Sequence, residues 1–346
     1  MRILYLVPER ALSDPNTMRE ATALEAAGHE VSVIGPQYRA PGKVGRIFRL
    51  MVEAPRVAEN LQAEVILCRD LDTLFAGARA KYRTGAKLVY WPHDVYSHMI
   101  EPDVSRFIYL QTVHHERRLL LKFVDAIIAS NPGIVDWLVH QQAPKDGIGI
   151  DDPITIVMPC RDPAPTWQPP QEPRTLLYAG TLHKNRFTKE MIRAMEFFDD
   201  AKLIVAAPRT NNLYEWVRDN AGPNVEFRGT VTPEDVGALT RLAGIVVTML
   251  NPEDKCLRVG LANKVFDAMS VGRAAIGTKG TATGDLIVEN QMGLAVDYDF
   301  DSYIEGVYRL LTYDLSVPGY NAWNACVSRF NWKTEAAKLV GVFECL

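Results

Sequence analysis

The sequence predicts an α/β protein with two doubly wound parallel-sheet domains. Its 346 residues exceed one ordinary core and suit two. Short apolar runs alternate with helix-patterned stretches, the order that builds parallel sheets with helical crossovers. The alternation halts once, at a proline-rich stretch, and then restarts.

In the first half, strands are expected at Arg2–Val7, Glu30–Ile34, Glu64–Leu67, Lys87–Trp91, Ala126–Ala129 and Ile154–Val157. Helices are expected near Asn16–Ala27, Val44–Leu61, Leu71–Tyr82, Ser105–Phe123 and Ile134–His140. The apolar run from Met1 stops at Pro8, too short for a signal sequence, and reads as the first strand. Pro159 to Pro173 holds six prolines, which exclude helix and central strand, so a stiff linker is expected. Strands then follow at Thr175–Ala179, Lys202–Ala206, Val225–Phe227, Ile245–Met249, Ala274–Ile276 and Leu294–Val296, with a last helix at Trp332–Phe343. The expected domains are 1–160 and 174–329, joined by the linker 161–173. Two such sheets facing each other leave a cleft beyond the carboxyl ends of their strands.

Composition bounds the function. Hydrophobic residues make up 47% and charged residues 23%, the balance of a soluble globular protein. A net charge of −4 gives no global field for nucleic acid. The five cysteines are scattered without a CxxC pair, which points to a reducing, cytoplasmic setting and no structural zinc. No run reaches the roughly 20 apolar residues of a membrane span, so any membrane contact is expected to be peripheral.

The stretch Leu261–Gly272 carries the most chemical information. Val265, Phe266, Met269 and Val271 suit a helix with one buried face, and Gly272 stops it before a buried strand. Asn263 and Lys264 place a polar cap and a positive charge at the helix start, where backbone N–H groups lack partners. Such a terminus can hold a diphosphate, and it can equally be an ordinary amphipathic helix with a solvated lysine.

Several passages, in order, resemble the glycosyltransferases of GT-B fold, closest to family 4 (glycosyl transferases group 1). They are Asp14–Val31, Arg69–Leu74, Lys87–Ser97, Tyr178–Leu182, Val225–Val231 and Asn263–Gly272. The resemblance spans nearly the whole chain and implies two Rossmann-like domains, the first for acceptor and the second for the nucleotide-sugar donor. It also implies that the final helix (330–346) packs back on the first domain. Transfer requires stabilising a departing diphosphate, which fixed cations do well. The resemblance gives that task to Lys264 and Arg186, with Lys184 beside them. Gly180, Thr181, Asn263 and Glu253 fall at the same donor site. Asp267 stands where the family usually has a glutamate for the ribose hydroxyls, one methylene shorter. Val259 replaces an earlier family glutamate near the donor sugar. His93, at a strand end, matches a histidine near the reacting sugar that can hydrogen-bond it or carry a proton. Asp94 is the alternative base.

Other features have plainer readings. Asp70-Leu71-Asp72 has the DxD form of a metal motif, but helix capping is the simpler account. His114-His115-Glu116 lacks zinc-helix spacing. Gly277–Gly284 is a glycine-rich turn that can offer N–H groups to phosphate or sugar. In 39–56, Arg39, Lys43, Arg46, Arg49 and Arg56 interleave with apolar residues, as in a helix lying on an anionic membrane or one packed on the core with solvated arginines.

The expected activity is therefore metal-independent hexosyl transfer from a UDP- or GDP-sugar to a saccharide or lipid-linked acceptor, with retention implied by the resemblance. It belongs with polysaccharide biosynthesis, in the cytoplasm or on the inner membrane face, with no cofactor beyond the donor itself. Alternatives are a nucleotide-sugar 2-epimerase of the same fold and a non-catalytic sugar-nucleotide binder.

Overall fold

The computed structural model describes residues 1–8, 14–35, 42–93, 95, 106–141 and 154–346. It divides into two compact units, Met1–Met158 with Thr334–Leu346, and Pro159–Lys333.

The first unit runs β1 (Arg2–Leu6), α1 (Pro15–Ala26), β2 (Glu30–Ile34), α2 (Gly42–Leu61), β3 (Val65–Arg69), α3 (Leu71–Thr84), β4 (Lys87–Trp91), α4 (Arg106–Phe123), β5 (Ala126–Ala129), α5 (Pro132–Asp136) and β6 (Ile154–Ile156). Its six strands are ordered β2-β1-β3-β4-β5-β6, and every pair is parallel. The chain leaves β1 toward one edge and returns to the other side at β3. The crevice at the carboxyl ends of β1 and β3 is thus a topological switch point, the usual ligand position in such sheets. Helix α1 begins where Asp14 accepts from the Asn16 amide and Pro15 occupies the first turn. Helix α2 buries Leu50, Ala54 and Ala58, four residues apart on one face, and leaves Phe48 exposed. The helix expected at Ile134–His140 splits into α5 and a π-type turn at Trp137–Gln141.

The second unit runs β7 (Glu172–Ala179), α6 (Thr188–Ala194), β8 (Lys202–Ala206), α7 (Leu213–Asn220), β9 (Val225–Gly229), α8 (Pro233–Leu242), β10 (Ala243–Thr248), α9 (Lys255–Val259), α10 (Asn263–Val271), β11 (Ala274–Thr278), α11 (Ala282–Glu289), β12 (Gly293–Val296), α12 (Phe300–Thr312) and α13 (Ser316–Ser328), with α14 (Trp332–Glu344) beginning at its end. The strand order is β12-β11-β10-β7-β8-β9, again all parallel, with the switch point between β7 and β10. Alternation along β7 sends Leu176 and Tyr178 into the larger core layer and Leu177 to the opposite face with Ile204 and Ala243.

The proline stretch departs from its sequence reading in two ways. Glu172 and Pro173 belong to β7, a central strand. Pro173 is tolerated because it lies at the strand start, where the register with β10 shifts. The neighbouring Gly244 leaves the room, since a Cβ there would stand 2.2 Å from the Pro173 carbonyl oxygen. Upstream, the segment is fastened along its own unit rather than spanning free space. The Ala164 amide donates to Ser270 O at 2.7 Å, and Trp323 Nε1 donates to Ala164 O at 2.9 Å.

Within the first unit, the Met158 amide donates to Glu335 of α14 at 2.9 Å, and that carboxylate is fully buried. Among the described residues no helix is long and apolar enough to cross a membrane.

Candidate active site

At the carboxyl end of β7 the chain turns at Gly180, whose φ of +143° favours glycine. Two residues earlier, Tyr178, next to last in β7, has its ring in the core and its hydroxyl donating to Thr181 O at 2.6 Å. The Lys264 ammonium lies over this ring, 3.6 Å from the centroid. From the 3-10 turn Lys184–Arg186, the Arg186 charge acts on both the same tyrosine hydroxyl and Lys264. Two residues predicted from separate parts of the sequence thus converge on one aromatic ring.

Lys264 is only 7% exposed. Among the described residues its Nζ forms no hydrogen bond or ion pair, only the ring contact. The contrast with Arg273 is sharp: that buried guanidinium donates to carbonyls of Gln168, Thr240, Arg241 and Gly272. Burial first, and then the Arg186 charge, push the Lys264 pKa well below the usual lysine value, against a smaller pull from Asp267. Two cations whose neighbouring carboxylate, Asp267, already pairs with Arg161 form a site that an anion completes. The start of α10 adds to this, because no side chain caps it.

That last point corrects the sequence reading. Ala262, not Asn263, is the N-cap, and Asn263 is an exposed first-turn residue. The Ala262 amide instead donates to Thr283 Oγ1 at 3.0 Å, and this hydroxyl donates to Gly260 O at 3.1 Å. The glycine-rich turn at 277–284 likewise spends N–H groups on itself: Gly284 donates to Thr281 Oγ1 and Asp285 to Thr281 O. Thr281 is therefore the cap of α11.

Asp267 is not a free acceptor. Arg161, from the proline stretch, binds its Oδ1 through Nε at 2.8 Å. Lys184 and Glu253 are exposed and, among the described residues, their side chains make no bond to the Lys264–Tyr178–Arg186 group. Glu253's loop is nevertheless tied to Arg186's turn. Asn185 Nδ2 donates to Asp254 at 2.8 Å, and the Asn251 amide donates to Asn185 O at 2.9 Å. Asp254 also caps α9, fixing the helix that carries Val259.

In the first unit, His93 follows β4, as expected. Asp70 does not cap α3 with its side chain; its Oδ1 accepts the His93 amide at 2.7 Å. Asp70 takes φ +65°, a costly conformation for a side-chain-bearing residue. Its amide is held by Trp91 O at 3.1 Å. Asp94 and His98 lie outside the described residues, as do Arg39 and the side chains of Lys43 and Arg46 in the basic segment. His114 and His115 are exposed on α4. Among the described residues no group of three His, Cys, Asp or Glu could hold a metal.

Sequence reasoning missed Tyr178, Arg161, Asn185 and Thr283. Tyr178 carried a usable signal, a phenol at the last core-facing position of a strand that ends beside the switch point. Arg161 carried none, because a lone arginine among prolines has no periodicity to read.

Known proteins share this fold. The solved structure of sucrose-phosphate synthase from Thermosynechococcus elongatus aligns over 100% of this chain and 98% of that one, at 13% identity and a TM-score of 0.78. Anabaena HepE in complex with UDP and glucose aligns over 100% of both chains, at 13% identity and 0.74. The S. aureus MnaA–UDP structure covers 99% of this chain and 96% of that one, at 11% identity and 0.67. Such identities establish the fold, which is GT-B. No curated protein sequence matches the chain. Residues 173–313 match the family model described as glycosyl transferases group 1. The second unit is thus a group 1 domain, and the chain is a glycosyltransferase.

Proposed function

We propose that this chain transfers a hexosyl unit from a UDP-sugar, with Lys264 and Arg186 neutralising the diphosphate as the glycosidic C1–O bond breaks. The observation that carries the reading is the buried, unpaired ammonium of Lys264 on the ring of Tyr178, with the Arg186 charge acting on both. A diphosphate would supply the counter-charge the site lacks and raise the depressed lysine pKa. Uridine is preferred over guanosine because the HepE and MnaA structures contain UDP. Gly180 lets the backbone pass close to the phosphates, and Thr181, Asn263, Lys184 and Glu253 border them. Asp267 would hold the ribose while keeping Arg161 as its partner, so the carboxylate arrives already oriented.

The acceptor is a saccharide or a lipid-linked saccharide, as in polysaccharide assembly, and the family likeness implies retention without a metal. His93, with Asp94 beside it, is assigned to the reacting sugar. Phe48, 65% exposed beside Arg49 on α2, supports peripheral contact with an anionic membrane on the cytoplasmic side. Charge reversal at Arg46 and Arg49 should lower pelleting with anionic vesicles; unchanged pelleting removes this part.

The main test is calorimetric titration with UDP and GDP, followed by UDP-sugars with and without candidate acceptors. UDP binding, together with turnover that needs acceptor, is expected. Removing Lys264 or Arg186 should cost on the order of 10² to 10³ in rate. Absence of binding by either nucleotide rejects the assignment. Sugar inversion without acceptor would mean an epimerase, and binding without turnover a non-catalytic receptor.

A further inference from the structure

The carboxyl ends of β1, β3 and β4 share a polar cluster that the donor site does not use. Tyr5 donates to Glu20 at 2.6 Å inside the core. Arg69 of β3 pairs with Asp14 at 2.8 Å and lies 3.8 Å from Glu20. It also donates to Thr17. Burial opposes the Arg69 charge, but Glu20, Tyr5, Asp14 and Asp70 outweigh it and hold the guanidinium protonated. Its remaining arm, Nη2, stands 3.5 Å from His93 Nδ1.

A guanidinium has donors and no acceptor. The imidazole nitrogen that faces it must therefore present a lone pair, which leaves the ring proton on Nε2. The ring has little freedom to escape this. It lies against Trp91, 5.1 Å between centroids. The backbone of His93 is held at both ends, its amide by Asp70 Oδ1 and its carbonyl by Ser130 Oγ. Burial and the Arg69 charge both push the His93 pKa well below the usual imidazole value. Nε2 is buried and has no hydrogen-bond partner among the described residues. A buried donor without an acceptor is costly, so this N–H is a vacancy for an oxygen.

We infer that Arg69 is a positioning residue which fixes His93 as the Nε2–H tautomer, so that His93 donates a hydrogen bond to a sugar hydroxyl oxygen and does not act as a base. The inference rests on the preceding reading that a sugar reaches His93, but its central claim is about the free protein. It assigns the network Tyr5–Glu20–Asp14–Arg69 a task, which is to keep one imidazole nitrogen occupied. It also explains the strained Asp70, whose carboxylate pins the His93 amide.

The test is nitrogen-15 NMR of the full-length protein labelled at histidine, with the His93 signals assigned by their absence in His93→Gln. A neutral ring with the proton on Nε2 is expected, persisting as the pH falls through the range where free histidine charges. Arg69→Met should release the ring to a mixture of tautomers or to ordinary titration, whereas Arg69→Lys, also donor-only, should retain Nε2–H where its shorter chain reaches. An Nδ1–H tautomer or an imidazolium at neutral pH overturns the inference, and so does an unaltered tautomer in Arg69→Met. Should Arg69→Met fail to fold, the wild-type spectrum alone still decides the tautomer. Kinetics supply the second readout. His93→Gln, which offers an amide N–H near Nε2, should lose less kcat/KM than His93→Asn, for which roughly a tenfold loss is expected. The limbs of the pH–rate profile should survive in His93→Gln; loss of the acidic limb would make His93 a base. An Nε2–H signal without any turnover of UDP-sugars would leave the tautomer standing and remove the proposed function instead.

Discussion

Replacing Lys264 with methionine should stabilise the free protein while abolishing its response to UDP. The wild-type ammonium is 7% exposed, rests on the Tyr178 ring and feels the Arg186 charge more strongly than the Asp267 carboxylate. Leaving a buried polar group unsatisfied costs about 1–3 kcal/mol, and more for a charged one. The cation–ring contact returns about 2 kcal/mol when desolvated. Methionine keeps the volume and the ring contact without the charge, so the variant should be more stable by about 1–2 kcal/mol near neutral pH. The sign with pH follows from the depressed pKa. Between the folded value and the usual 10.5, the unfolded chain binds the lysine proton and the folded chain does not. Wild-type stability therefore rises with pH through this window, and the methionine variant's advantage shrinks to nothing above it. Urea unfolding at several pH values and constant ionic strength measures the advantage directly. Added UDP should raise the wild-type midpoint and leave the variant's nearly unmoved. A variant less stable than wild type near neutral pH, or an advantage independent of pH, would refute the account of Lys264 as an unpaired buried cation.

Three further outcomes are expected. Gly180→Ala forces a side chain into φ +143° and sets its Cβ 3.5 Å from the Lys264 ammonium. It should cost about 1–3 kcal/mol of stability and weaken UDP binding, both measurable by calorimetry. Asn185→Ala removes the bond to Asp254 and should speed amide exchange across Lys255–Val259; unchanged exchange would show that the capping by Asp254 alone holds the loop. Burial raises the Glu20 pKa above 4.5 despite the Arg69 charge and the Tyr5 hydrogen bond, so the folded state keeps this proton where the unfolded chain has lost it. The associated stability is complete below the unfolded value and declines as pH rises through the folded one. Glu20→Gln should flatten that slope in urea titrations, and an unchanged slope would place the titration elsewhere.

Local pattern determined much of this protein. Residues within a few positions of one another decide whether a stretch such as Lys87–Trp91 is a strand and where Gly272 ends a helix, because those outcomes depend on side-chain period and on backbone conformation. The same locality put Lys264 at the start of α10, and the family likeness added Arg186. The capping expected of the Asp70 stretch and of Asn263 misled for the complementary reason. Whether a carboxylate caps its own helix or reaches a neighbouring strand is settled by what lies beside it. Asp70 meets His93 from 23 positions away, and Ala262 meets Thr283 from 21.

Tertiary structure alone decided the chemistry of the sites. Sheet order brings Tyr178 beneath Lys264, sets Arg69 against His93 across 24 positions, and lays the proline stretch so that Arg161 meets Asp267 across 106. The sequence by itself fixes which elements form and which residues stand at their ends. Only the register of strands distant along the chain determines which of those ends meet. A buried charge takes its pKa, and an imidazole its tautomer, from that meeting.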